Sequence, residues 1–287
     1  MIEEKENIYS LHQLTAYPPD MAHPVYRQYP FLKLGVKAGV QHFCEKLAPH
    51  VAEIMTANPQ YKEWVLTSPP SRGVPTAANL LAQSLYEHFK QKDPTPGFIS
   101  VVKFYNKSYE GSIDENAGDF KKFSGYSSYT WDERQELIRK NKFVINAADF
   151  INRGIIFIND INVTGASQHY IGQVISKEYT GKINWLYIID CDKTIGRKFP
   201  GLEYEINNAN IKTVADFAAI LASEAIQPTA KCLSKLFSLS IAELKQLLGM
   251  LNKTQQLRLL ESIEQEELYQ AFIFKDKMQL IKEFVSN

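Results

Sequence analysis

A short apolar run that ends in two adjacent polar residues limits the possible fold more than any other feature of this chain. Residues 154–158 read Gly-Ile-Ile-Phe-Ile, and Asn159 and Asp160 follow them directly. After a loop at residues 163–167, apolar residues recur at helical spacing. An apolar run of this length, bounded by turn signals, is typical of a buried strand in a parallel sheet. The sequence therefore predicts a strand–loop–helix unit of an α/β fold, with Asn159 and Asp160 at the strand tip.

The loop between this strand and this helix is suited to hold an anion. Its small residues allow backbone N–H groups to converge on one point, and the positive end of the helix dipole adds to their effect. Asp160, at the strand tip, is placed to reach a hydroxyl-rich neighbour of the bound anion. We therefore expect a sugar phosphate as ligand. The loop consists of Val163, Thr164, Gly165, Ala166 and Ser167.

The same unit resembles the signature of the type I phosphoribosyltransferases: an apolar strand, two acidic residues and a Thr-Gly-x-Thr/Ser loop. Asp160 and residues 164–167 match this pattern, whereas Asn159 stands where the family usually has a second carboxylate. The resemblance implies that residues 163–167 bind the 5-phosphate of phosphoribosyl pyrophosphate (PRPP) and that Asn159 and Asp160 contact the ribose. An amide can hydrogen-bond a hydroxyl, but it lacks the charge that stabilises a cationic sugar.

A second loop, upstream, is similar to the pyrophosphate loop of that family. Residues 64–67 read as a buried strand, and a helix is predicted from about Thr76. Between them lie Ser71, Arg72 and Gly73. Glycine allows close backbone approach, and arginine offers a planar fork that matches phosphate oxygens. The alternative is a proline-rich turn with a solvated arginine.

Residues 98–102 predict the next strand, and two lysines follow it. By the resemblance, Lys103 and Lys107 are candidates to contact pyrophosphate, although an exposed position would explain either lysine. The stretch 109–132 has little apolar periodicity and corresponds to a mobile loop that closes over the site in the family. The resemblance covers about residues 63–192.

A competing motif follows the apolar run 185–189. Asp190, Asp192 and Thr194 match the Asp-x-Asp-x-Thr opening of haloacid-dehalogenase-like phosphatases, in which the two aspartates act as nucleophile and acid/base. The remainder of such an enzyme is missing, because no acidic pair follows a later apolar strand. In a phosphoribosyltransferase, Asp190 or Asp192 would instead face the acceptor.

Composition narrows the class of protein. Of 287 residues, 45% are hydrophobic and 22% are charged, which is ordinary for a soluble globular chain. Basic and acidic residues number 32 each, so no net positive field argues for nucleic acid. Three scattered cysteines favour a reducing, cytoplasmic setting, and neither a signal peptide nor a membrane-spanning run is predicted.

The predicted organisation has three parts. Residues 1–60 form an arm, irregular up to about residue 30, and a helix. Residues 61–200 form the phosphoribosyltransferase-like core with a central parallel sheet flanked by helices. Residues 201–287 form an all-helical subdomain of three to five helices, after a polar connector at 198–212 without a clear element. This subdomain is left open as an acceptor-binding hood, a homodimer contact or a partner-binding module.

The resemblance implies a transferase of nucleotide metabolism that moves the ribose phosphate of PRPP to a nitrogen nucleophile and releases pyrophosphate. It also implies Mg²⁺, held mostly by the pyrophosphate with some contribution from Asp160, which would be the catalytic residue. Because of Asn159, a regulator that binds ribose phosphate without turnover is the main alternative. No residue identifies the acceptor.

Overall fold

A five-stranded parallel sheet forms the centre of the protein, whose structure is a computed structural model. It describes residues 7–92, 98–103, 105–106, 129–140, 143–144, 146–223, 225–270 and 272–286. The sheet order is β1-β7-β6-β2-β3, and β4 and β5 form a separate antiparallel pair. The strands are β1 (Asn7–Leu14), β2 (Trp64–Ser68), β3 (Phe98–Lys103), β4 (Tyr105–Asn106), β5 (Phe143–Val144), β6 (Gly154–Asn162) and β7 (Ile183–Cys191).

Helices cover the sheet and make up the whole C-terminal part of the chain. No helix in the described part is long and apolar enough to cross a membrane. The helices within the described ranges are α1 (Pro24–Leu34), α2 (Lys37–Ala57), α3 (Ala77–Lys92), α4 (Trp131–Lys140), α5 (Ala166–Ile175), α6 (Lys193–Lys198), α7 (Leu202–Asn207), α8 (Val214–Leu221), α9 (Ala230–Ser238), α10 (Ile241–Met250), α11 (Lys253–Gln265) and α12 (Lys275–Ser286).

The predicted α/β unit around residue 160 is confirmed, with one correction. Asn159 and Asp160 do not lie at the strand tip, because β6 continues to Asn162. The strand continues past Asp160 because Ile161 and Asn162 still pair with β7. The side chains at 159 and 160 therefore project from inside a strand, where Asp160 is buried and Asn159 is partly exposed.

The N-terminal region is more regular than its sequence predicts. Residues 1 to about 30 were expected to be irregular, yet β1 pairs in parallel with β7 along the sheet edge, and α1 begins at Pro24. β1 contains few strongly apolar residues, because it lies at the edge and most of its side chains are only partly buried. Its polar side chains are matched by its partner strand: Asn7, for example, donates to Asn184 at 3.3 Å. A pattern of local hydrophobicity does not detect such a strand.

The C-terminal part, here called the tail (residues 213–286), contains the five helices α8 to α12. The predicted helix starts are confirmed, since Thr213 with Asp216 and Ser240 with Glu243 each form a capping box. The prediction of a connector without elements at residues 198–212 is wrong, because α7 lies within it. The tail has its own apolar core, which also takes in Leu34 and Val74 from the rest of the chain. The domain boundaries stay a prediction.

Candidate functional site

The predicted site residues lie within or after strands that are neighbours in the sheet. β2 pairs with both β3 and β6, and β6 pairs with β7, all in parallel. The carboxyl ends of these strands therefore meet at one edge, which is where ligands bind in open parallel sheets. Lys103 ends β3 opposite Ser68, at this same edge. Lys107 lies outside the described residues. Residues 109–128, which make up most of the loop predicted at 109–132, also lie outside them.

Gly165 shapes the loop that precedes α5. Its backbone is left-handed, with φ 79°, and it is the N-cap of the helix. A side chain would be strained in this conformation, so glycine is required here. Thr164 is buried, and its hydroxyl accepts a hydrogen bond from the Ala166 N–H at 3.3 Å. Gly165 has no side chain that could cap α5, and the start of a helix is a position at which anions bind.

The turn after β7 packs directly on this loop. A β-carbon built on Gly196 would lie 1.8 Å from the Val163 carbonyl oxygen, so the backbone of α6 touches the loop there. A β-carbon built on Gly165 would lie 3.8 Å from Cε of Lys193. Lys193 therefore lies beside the loop at residues 163–167. The sequence prediction missed this lysine, although its position directly after Asp192, at the end of a core strand, was a usable signal.

Asp160 is buried and faces α1. Its Oδ2 accepts from Lys33 Nζ at 2.6 Å and from the Tyr29 hydroxyl at 2.8 Å. Its Oδ1 accepts from the Ile161 N–H at 3.1 Å. Only 5% of the residue is exposed. A carboxylate accepts about four hydrogen bonds, so about one acceptor position, on Oδ1, remains for another donor.

Asn159 lies next to it but is partly exposed. Its Oδ1 accepts from the Asp160 N–H at 3.0 Å, and its Nδ2 is 3.4 Å from the Ile161 carbonyl oxygen. These contacts are with the backbone of its own strand. Asn159 is therefore the more accessible of the two predicted ribose ligands.

A chain of charges extends from Asp160 into the protein. Lys33 lies 3.6 Å from Glu203 on α7, and Glu203 accepts from Arg134 of α4 at 3.1 Å. Burial lowers the pKa of Lys33, but Asp160 and Glu203 outweigh it and the net shift is upward. Burial raises the pKa of Glu203, while the charges of Lys33 and Arg134 bring it below its ordinary value. Lys33 and Glu203 are therefore both ionised at neutral pH. No motif marks them, because their contacts join distant parts of the chain.

Asp190 and Asp192 hold the end of β7 in place. Asp190 accepts from Asn162 at 2.8 Å and from Gln13 at 3.2 Å, one bond on each carboxylate oxygen. Asp192 caps α6. Its carboxylate accepts hydrogen bonds from the backbone N–H groups of Thr194 at 2.9 Å and Ile195 at 3.1 Å. Both aspartates lie at the edge of the sheet that carries the loop at residues 163–167. Their predicted contact with an acceptor stays a prediction.

The predicted pyrophosphate loop contacts the tail. Ser71, Arg72 and Gly73 are exposed at the end of β2. A β-carbon on Gly73 would lie 1.6 Å from the Gln265 carbonyl oxygen, and the Val74 N–H donates to Glu266 at 3.2 Å. The glycine is therefore required for close packing against the tail. Whether this loop also contacts pyrophosphate stays a prediction.

The described residues contain no group of three or more acidic, histidine or cysteine side chains that could hold a metal ion. Asp160, the predicted minor ligand, already shares its charge with Lys33. The residues present therefore fit an ion carried by the phosphates of a ligand better than an ion held by the protein.

Comparison with known families agrees with this geometry. The family model described as PRTase ComF-like matches residues 5–281, which is nearly the whole chain. Searches of curated proteins and of solved structures return no match. The chain therefore belongs to the ComF-like phosphoribosyltransferase family, and its parallel sheet with flanking helices is the core of that fold.

Proposed function

We propose that this member of the ComF-like phosphoribosyltransferase family binds PRPP and transfers its ribose phosphate to a nitrogen nucleophile. The observation that carries the proposal is the loop at residues 163–167, which enters α5 through Gly165 at φ 79°. Three further features support it: the neighbouring strands end at the same edge, Lys193 lies beside the loop, and the family match spans residues 5–281.

The 5-phosphate would lie on the first turn of α5, and the ribose hydroxyls would contact Asn159 and the remaining acceptor position of Asp160. Ser71, Arg72 and Gly73, with Lys103 and Lys107, would contact the pyrophosphate. Mg²⁺ would be held mainly by the pyrophosphate oxygens and would neutralise part of their charge. The nucleophile forms a bond to C1 of the ribose as the C1–O bond breaks. The electron pair of the C1–O bond leaves with pyrophosphate. The protein acts by positioning and by electrostatic stabilisation.

A second candidate function is binding of a ribose phosphate without turnover. Two observations favour it: Asn159 carries no charge, and the charge of Asp160 is balanced by Lys33 at 2.6 Å. A cationic sugar in the transition state would then meet little net negative charge from β6.

Pyrophosphate release in the presence of PRPP, Mg²⁺ and a panel of nucleobases and amines separates the two functions. The transferase predicts release that depends on one acceptor class. If the wild type releases none while Asn159→Asp gains release, the non-catalytic function holds. If both proteins bind PRPP and neither releases pyrophosphate with any acceptor, the transfer step is refuted.

A further inference from the structure

Lys33 of α1 forms an ion pair with Asp160 in the predicted ribose site. Its side chain is 13% exposed, and it lies 2.6 Å from Oδ2 of Asp160. An ammonium group that is mostly buried requires a charged partner, and Asp160 provides one. Tyr29, one turn earlier on α1, donates to the same oxygen at 2.8 Å. Both donors come from one helix face, because residues four apart on a helix are neighbours.

These two donors fix the orientation of the carboxylate. With Oδ2 held by α1 and Oδ1 bonded to the Ile161 N–H at 3.1 Å, the carboxylate plane is set. About one acceptor position on Oδ1 is left for a ligand. Without Lys33, the buried carboxylate would lose its charged partner and would reorient, because an unpaired buried charge is costly.

Lys33 is itself held in place from two directions. On its charged side, Glu203 lies 3.6 Å away and is in turn paired with Arg134 at 3.1 Å. On its backbone side, the Thr229 hydroxyl of the tail donates to the Lys33 carbonyl oxygen at 2.6 Å.

The end of α1 is fastened to the tail at the same point. Gly35, at φ 93°, ends the helix, and its carbonyl oxygen accepts from the Gln227 N–H at 2.9 Å. A β-carbon on Gly35 would lie 1.8 Å from the Gln227 carbonyl oxygen, so the two backbones are in direct contact. The tail therefore contacts the end of α1 at Lys33 and at Gly35.

We propose that Lys33 is a positioning residue for the ribose site: it fixes the orientation of the Asp160 carboxylate, and the tail holds Lys33 in place. The proposal rests on PRPP being the ligand. It assigns Lys33 a role through Asp160 and no contact with the sugar. It also gives the tail a link to the site that is separate from any contact with an acceptor.

The test is a double-mutant cycle on PRPP binding with Lys33→Met, Asp160→Asn and the double variant. Asp160→Asn alone is expected to weaken binding about tenfold, the loss of one hydrogen bond to a charged group. Lys33→Met should weaken it to a similar extent. The double variant should bind as Asp160→Asn does, because Lys33 acts only through Asp160. Lys33→Arg, which keeps the charge, should bind PRPP with an affinity within about threefold of wild type.

Lys37→Met is the matched control: Lys37 is an exposed lysine at the start of α2, and this variant should bind PRPP as wild type does. If Lys33→Met fails to fold, comparing the double variant with Asp160→Asn still decides, since the double variant leaves no unpaired carboxylate. Equal affinities support the positioning role, and a further loss of about tenfold overturns it. A wild type that does not bind PRPP overturns the proposed function together with this inference. A wild type that binds, with independent effects of the two substitutions, overturns this inference alone.

Discussion

Lys231, at the start of α9, has a pKa that depends on the packing of the tail against the buried charges around Asp160 of β6. Burial, together with the charges of Lys33 and Lys235, lowers the pKa of Lys231 to about 8, against an ordinary value of 10.5. Glu203 and Asp160 act in the opposite direction without reversing the shift. The lysine has this environment only while α9 lies against the buried charges around Asp160. The perturbation is Lys231→Met, which removes the titrating group and keeps most of the side-chain length.

The sign follows from proton counts. Between pH 8 and 10.5 the unfolded chain keeps the Lys231 proton while the folded chain has lost it, so the stability of the wild type rises with pH. Below pH 8 both states are protonated and this group adds no slope. From pH 7 to pH 10 its contribution amounts to about 2.5 kcal/mol for a pKa that falls from 10.5 to about 8. Lys231→Met lacks this rise.

The assay is urea unfolding at several pH values from 7 to 10. The quantity measured is the free energy of unfolding of wild type minus that of the variant, which cancels the other groups that titrate in this range. We expect this difference to grow by about 2.5 kcal/mol across the range. Lys245→Met, at an exposed position on α10, is the control and should give a constant difference. A constant difference for Lys231→Met as well would refute the packing of α9 against the buried charges.

Two other predictions concern contacts at the edge of the sheet. Gly73→Ala places a β-carbon 1.6 Å from the Gln265 carbonyl oxygen and should lower the free energy of unfolding by about 1–3 kcal/mol, measured in urea. Gly201→Ala, with no atom within 4 Å of the added carbon, should change it little, and equal effects of the two substitutions would contradict the packing. Neither the wild type nor Asp190→Asn should release phosphate from a phosphomonoester; release by the wild type that Asp190→Asn abolishes would support the phosphatase interpretation instead.

The core of the fold could be predicted because its signals are local. Buried strands such as β6 are continuous apolar runs, and the loop before α5 has a recognisable set of small residues. The capping boxes of α8 and α10 need only four consecutive residues each. The family match agrees with these predictions.

What could not be predicted depends on contacts between distant parts of the chain. β1 is a strand because its backbone pairs with β7 at the edge of the sheet. The residues of β1 are too polar for a strand to be predicted from them alone. Asp160 was expected to be open to a ligand, but Lys33, 127 residues earlier, takes one of its oxygens. A short-range pattern shows which residue types are present and does not show which partner arrives from elsewhere.

The central claim is that residues 163–167 bind the 5-phosphate of PRPP. Isothermal titration calorimetry of wild type with PRPP, with and without Mg²⁺, tests it most directly when Thr164→Ala is measured beside it. The matched control is Thr56→Ala, an exposed threonine on α2 far along the chain from the loop. We predict saturable binding that Thr164→Ala weakens by about tenfold, since its hydroxyl orders the loop at the Ala166 N–H, and that Thr56→Ala leaves unchanged. No saturable binding by the wild type, or equal affinity of wild type and Thr164→Ala, would contradict the account.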